Sequence, residues 1–391
     1  MPARPDAPLD GVLVVDLTRL LPGAYATSLL VGMGADVVKV EEPRGGDGLR
    51  AMGPFTTSGE SGVFVALCRG KRSVTLDLKN PTGQAVMRDL LRQAHVLVDS
   101  FRPRVLDRLG IGPDVLAEVN PALVHVSMTA YGDGARAALP AHDLNTEGMA
   151  GILGLARGSD GSTGMPALPL VDMATGLQAA LAVVAGLRVA ESGPTGFRTD
   201  VTMLDSALSL TSIGQGHVMS GGDGPPTPDM LTGGLACYGV YRCADGLEVA
   251  LGALEPQFFS RVAELVGDAS LAAVQYDVAQ DALRGRLARL FSSRPRHEWL
   301  ELLEDDQTCL TPVRTSREAL ADDDLRARGV VVEVGLADGT TTSAGRPAAW
   351  VPVTEPLRSA PALGADTDDV LRRLGHDPAT VRASGAVGGP S

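Results

Sequence analysis

From Gly11 to Met128 the sequence alternates apolar runs of strand length with stretches of helical periodicity, an order that few folds can accommodate. Gly11 to Leu17 is a near-continuous apolar run, Pro22 to Met33 reads as a helix with proline at its start, and Ala35 to Glu41 is the next strand. Ser73 to Leu78 follows as a third strand. A helix capped by Asn80 comes next, with Pro81 at its first position and Val86, Leu90 and Leu91 on its apolar face. His95 to Asp99 and Leu123 to Met128 complete the series. Strands apolar on both faces, joined through helices, describe a parallel sheet covered on both sides, so the fold class is α/β. Gly32-x-Gly34 follows the first helix and precedes a strand. A dinucleotide fingerprint must instead follow a strand and open a helix, which argues against a nicotinamide cofactor.

A chain of 391 residues exceeds the size at which one core keeps growing, so two domains are expected. The polar, proline-rich stretch from Ser220 to Pro226 is the best linker. Beyond it, Tyr238 to Leu251 reads as a hairpin turning on Asp245-Gly246, and helical patterns fill roughly 256 to 327. Strand character returns at Val330 to Val334 with the Asp338-Gly339 turn. A charged helix spans Asp366 to Leu374, and residues 383–391 read as a disordered tail.

Two proton-transfer groups stand at helix starts. His142 precedes a segment carrying Met149, Ile152 and Leu153 at helical spacing, with Asp143 available as the N-cap. Asp172 precedes an uncharged apolar helix running from Gly176 to Leu187. An aspartate in such a place is ordinarily a cap. Two helix N-termini meeting in space would, however, aim backbone N–H groups, including those just after Asp172, at one point where a developing enolate is stabilised. The glycine-rich residues 157–169 between the two helices read as a loop that moves over a site.

The net charge of −13 excludes general nucleic-acid binding, and an anionic ligand must find local basic islands. Two exist: Arg69, Lys71 and Arg72 before the third strand, and Arg102, Arg104 and Arg108 after the fourth, each suited to phosphates. Cys68, Cys237, Cys243 and Cys309 lack zinc-ligand spacing and read as reduced thiols, and no metal is expected. No apolar run is long enough to span a membrane and no signal-peptide core opens the chain, so a cytoplasmic protein is expected.

The order of Gly11 to Leu17, Gly34 to Glu41, Arg69 to Leu78, Leu109-Gly110-Ile111-Gly112 and Asp366 to Leu371 resembles the family III CoA-transferases, the CaiB/BaiF family, over nearly the whole chain. His142-Asp143-Leu144-Asn145, Asp172 and Gly252 to Phe258 look most like its α-methylacyl-CoA racemase branch. The resemblance implies a Rossmann-like large domain of residues 1–220 completed by 328–391, a smaller α+β domain of 227–327, and an interlocked homodimer. It implies His142 and Asp172 as paired acid and base, with Glu255 reaching the same site. No cofactor is implied beyond the CoA moiety of an acyl-CoA substrate, whose phosphates fall to the two basic clusters. The activity implied is inversion at the α-carbon of a 2-methyl-branched acyl-CoA. In the transferase branch the aspartate matching Asp172 is instead a nucleophile that forms an acyl anhydride while CoA moves to a second acid. Met173-Ala174-Thr175-Gly176 is closer to that branch, whereas only Gly233-Gly234 stands where transferases carry a glycine run. Glu42 stands where racemases place a basic residue for the nucleotide. A non-catalytic CoA-binding relative is the third alternative.

Overall fold

The structure, a computed structural model, describes residues 7–156, 162–193, 195–222, 230–303, 307–351 and 358–388. The chain forms two compact units, Met1–Ile213 with Asp322–Ser391 and Gly214–Ala321. Both boundaries fall earlier in the chain than Ser220 to Pro226 and residue 328, where composition places them. Residues 223–226 of that linker, and 157–161 of the glycine-rich loop, lie outside the described residues.

The first unit begins with β1 (Leu13–Leu17), α1 (Leu20–Gly32) and β2 (Asp36–Glu41). Next come α2 (Gly62–Cys68), β3 (Arg72–Thr75), α3 (Pro81–Gln93), β4 (Val96–Asp99), α4 (Val105–Arg108), α5 (Pro113–Val119) and β5 (Val124–Thr129). Then α6 (Asp143–Ala150), α7 (Ile152–Leu155) and α8 (Leu170–Ala190) lead into β6 (Phe197–Thr202), α9 (Met203–Leu210) and α10 (Ser212–Met219), the last crossing the unit boundary. The strands form one parallel sheet in the order β3-β2-β1-β4-β5-β6. Chain direction across the sheet reverses between β1 and β4, and in such sheets the crevice outside the carboxyl ends of these strands is where ligands bind.

Two cores flank the sheet. On one face Val15, Val38, Val74 and Leu97 pack with Val86, Leu90 and Leu91 of α3; on the other, Val14, Val37, Val96 and Val126 pack with Leu30 of α1 and Ala179 and Val183 of α8. Residues alternating along each strand thus feed opposite cores, which is why the strands read as continuous apolar runs. Among the described residues α8 is long and apolar enough to cross a membrane, in contrast to the expectation from sequence. One of its faces is instead buried against α1, β5 and β6. At Gly176 a Cβ would stand 2.8 Å from the Pro22 carbonyl, so α8 approaches α1 as closely as two backbones allow.

The second unit holds β7 (Tyr238–Arg242), β8 (Glu248–Gly252), α11 (Pro256–Leu265), α12 (Gln280–Phe291), α13 (Arg296–Leu303), β9 (Leu310–Pro312) and α14 (Ser316–Leu320). Its antiparallel sheet, β7-β8-β9, turns at Asp245-Gly246 and covers a core of Tyr241, Phe259, Phe291 and Trp299. The first unit then resumes with α15 (Asp323–Ala327), the β10 (Val331–Gly335) and β11 (Thr341–Gly345) hairpin, α16 (Thr367–Arg373) and α17 (Pro378–Ala383).

The tail corrects the reading from composition. Within the stretch read as disordered, Ala386 and Val387 are buried in the core beneath α3 and the Ala386 carbonyl accepts from the Asp77 N–H at 2.7 Å, while residues 389–391 lie outside the described residues. Small residues and glycine make this segment look like a flexible end. The same smallness lets it lie flat along the backbone after β3.

Candidate active site at the carboxyl edge of the sheet

A cavity of about 470 Å³ opens at the carboxyl edge, and His142 and Asp172 both line it. Its walls are largely apolar, with Leu20, Phe101, Met128, Leu139 and Met203 among them, while Arg19 and Arg102 bring positive charge to the rim. The stretch singled out in the sequence therefore does converge on one space.

The helix starts differ in detail from the sequence reading. His142 itself is the N-cap residue of α6, and its N–H donates to the Asn145 side-chain oxygen at 3.0 Å. Asp172 is not a cap, because α8 begins at Leu170 and places Asp172 inside its first turn. The Met173 N–H donates to the Pro169 carbonyl at 3.1 Å, so that amide is already used within the helix. The Asp172 N–H donates across to Asp143 Oδ1 at 2.9 Å. Asp143, expected to cap its own helix, therefore ties α6 to the first turn of α8. The donors expected just after Asp172 for an enolate are correspondingly not free at Met173.

This arrangement makes Asp172 a weak acid. Burial, then the negative charges of Asp143 and Glu147, push its carboxyl up to about 7, despite a first-turn position that favours the anion. Glu147 is buried too, and burial followed by Asp143 moves it upward in the same direction. Glu147 did not stand out in the sequence and Asp143 was read there only as a cap, although the two are spaced i, i+4 and share a helix face.

Of the predicted phosphate ligands, Arg102, Arg104 and Arg108 are exposed and line a neighbouring cavity of about 660 Å³, while Arg102 borders the first cavity as well. The other cluster is a correction. Arg69 is buried and donates to the Ala66 and Gly345 carbonyls, and Lys71 is buried and donates to Thr27 Oγ1 and the Ala24 carbonyl. Arg72 forms a fork with Asp36 of β2, its Nε 2.9 Å from Asp36 Oδ1. These three side chains are internal struts and present no phosphate-binding surface. Glu255 is exposed on the second unit as the N-cap residue of α11. Among the described residues no group of His, Cys, Asp or Glu is arranged to hold a metal ion.

Sequence reasoning missed Arg19. It stands two residues past the end of β1 and lines both the 470 Å³ cavity and a third of about 320 Å³, which Glu42 also borders. Its N–H donates to Ser100 Oγ at 2.8 Å, joining the ends of β1 and β4 at the reversal point, and its guanidinium stands 5.5 Å from the Phe101 ring centre. A cation two residues past the apolar run of the first strand was the available signal.

Fold and site together define an α/β protein with a largely apolar pocket, bordered by His142 and Asp172, at the switch point of a parallel sheet. The chain belongs to the CoA-transferase family III, which it matches over residues 9–367. It is 30% identical to the α-methylacyl-CoA racemase of Homo sapiens over 94% of this chain and 93% of that protein. It is also 30% identical to the succinate–glutarate CoA-transferase of Agrobacterium fabrum, covering 96% and 97%. A crystal structure of a CaiB/BaiF family protein from Brucella suis superposes with a TM-score of 0.80 at 26% identity, covering 94% of this chain and 100% of that one. The protein is thus an enzyme of the family III CoA-transferase and racemase superfamily.

Proposed function

We propose that the protein is an acyl-CoA racemase or epimerase that inverts the α-carbon of a 2-methyl-branched acyl-CoA by two-base proton transfer through an enolate. The observation that carries this reading is the pairing of His142 with an Asp172 raised to about 7 on one cavity. Inversion needs two groups able to exchange a proton with carbon, since each unit of mismatch in basicity costs about 1.4 kcal/mol, and an aspartate pushed up to about 7 is a far stronger base than an ordinary carboxylate. The apolar wall suits a branched acyl chain, and Arg19 and Arg102 border the same cavity with positive charge suited to a thioester oxygen or a CoA phosphate. Glu255 enters this reading through the family resemblance alone.

The transferase reading keeps Asp172 as nucleophile and draws support from Met173-Ala174-Thr175-Gly176, but it leaves His142 without a task. A 2-methylacyl-CoA of either configuration, incubated in heavy water, separates the two. A racemase introduces deuterium at the α-carbon with the thioester intact, and His142→Ala and Asp172→Asn impair opposite stereochemical directions. Absence of exchange, together with an acyl adduct at Asp172 that hydroxylamine releases and transfer of label to a free acid, replaces the first reading by the second.

A further inference from the structure

Glu147 sits on α6 one turn beyond Asp143, is 1% exposed, and its Oε1 has no hydrogen-bond partner among the described residues. A buried, unsatisfied carboxyl oxygen is expensive, and nothing in the packing of α6 against α8 and α9 requires an acid there. Apolar residues surround the junction: Val171, Met203 and Ala207, with Ala130, Ala150 and Ile152 against them. No cation compensates the site on the described elements around it. α7 carries no charge, Asp205 of α9 is exposed, and Arg188 lies in the last turn of α8.

We infer that Glu147 is a positioning residue for Asp172, the buried third member of a carboxyl relay, Glu147 to Asp143 to Asp172, that sets the pH at which the site acquires its base. Asp143 Oδ1 is committed to the Asp172 N–H. Glu147 and Asp143 stand four residues apart on one face of α6, and two carboxyls so placed can share a hydrogen bond only while one of them holds a proton. Occupancy of that proton therefore fixes how much negative charge faces Asp172. Like charges on neighbouring carboxyls cannot all form together in a desolvated pocket, so ionisation of Glu147 and of Asp172 is linked instead of independent. The role rests on the assignment of Asp172 as the reacting carboxyl but not on which reaction it serves.

The test is a carboxyl-carbon NMR titration of full-length, substrate-free protein labelled at the aspartate side-chain carboxyl, with the Asp172 signal assigned by its loss in Asp172→Asn. The wild-type Asp172 curve is expected to be broadened or biphasic. In Glu147→Gln it should become a single step with its midpoint about one unit lower, as expected for loss of one neighbouring like charge. Asp143→Asn serves as the second variant and should move the midpoint the same way. An Asp172 curve unchanged in midpoint and shape in both variants overturns the inference. Because the titration needs no turnover, coupling without α-proton exchange would leave this inference standing and overturn the racemase reading alone. In the kinetic experiment, the pH profile of exchange in Glu147→Gln should shift toward acid by the same amount, with acyl-CoA affinity unchanged.

Discussion

Replacing Lys71 by methionine tests whether the Arg69 to Arg72 segment belongs to the fold or to the ligand. Lys71 Nζ lies 3.4 Å from Asp16 Oδ2 and donates to Thr27 Oγ1 at 2.7 Å and to the Ala24 carbonyl at 3.1 Å, all of it buried. Lys39 Nζ stands 3.9 Å from the same Asp16 oxygen and 2.7 Å from Asp47 Oδ2, so two lysines balance two aspartates. Burial pushes the Asp16 carboxyl up, and the two lysines with the Thr18 and Thr27 hydroxyls bring it below its usual range. At an effective dielectric of about 20, a pair at this separation is worth about 5 kcal/mol. The substitution also relieves the desolvation of Lys71, and Lys39 still faces Asp16, so a net loss of about 3 kcal/mol is expected. Urea unfolding followed by circular dichroism reads the loss, and calorimetry on the remaining folded protein reads acyl-CoA affinity, which should be unaltered. A variant as stable as the parent but with weakened acyl-CoA binding would refute the structural assignment and restore the cluster to the ligand.

Arg102→Ala, Arg104→Ala and Arg108→Ala together should weaken acyl-CoA binding by about tenfold or more and flatten its dependence on salt, as calorimetry across ionic strengths would show. Burial raises the Glu41 carboxyl, but the hydrogen bonds and charge of Arg50, with Ser73 and Lys39, lower it on balance below 4.5. Its stabilisation is therefore complete above that value and is lost as pH falls through the lowered one. Arg50→Met should reduce stability at neutral pH and remove part of the acid dependence, measured by thermal melts from pH 7 downward. Leu177, Leu181 and Val184 leave an apolar stripe on the outer face of α8, a surface that the homodimer implied by the family resemblance could cover. Leu181→Glu should then raise the fraction of monomer in light scattering at micromolar concentration, and a parent that is itself monomeric refutes the dimer.

The sheet was legible because each parallel strand is buried on both faces and so leaves an unbroken apolar run between helix signals. His142 and Asp172 were legible as helix starts, but the partner each backbone amide would find was not. That Asp143 reaches the Asp172 N–H, 29 positions along the chain, depends on how closely α8 packs on α1 and α6, and no local pattern encodes it. The basic clusters show the same limit. Arg72 and Arg102 look alike in sequence, yet one meets Asp36 across adjacent strands and the other faces a cavity, because only the pairing of β2 with β3 brings Asp36 to Arg72.

The final segment has a consequence for how the chain is made. β3 is an edge strand, and its outward amides are taken by the end of the chain: Ser73 N–H donates to Asp366 Oδ2 at 2.8 Å and Thr75 N–H to Thr367 Oγ1 at 3.1 Å. Just beyond β3, Asp77 bonds to Ala386, and Thr75 Oγ1 donates to the Gly388 carbonyl. An open edge is a template for pairing with other chains, and here the cover lies far along the chain. During synthesis β3 waits unprotected until Asp366, 293 positions beyond Ser73, has been delivered, a delay in which nascent copies on one messenger are most able to capture each other's edges.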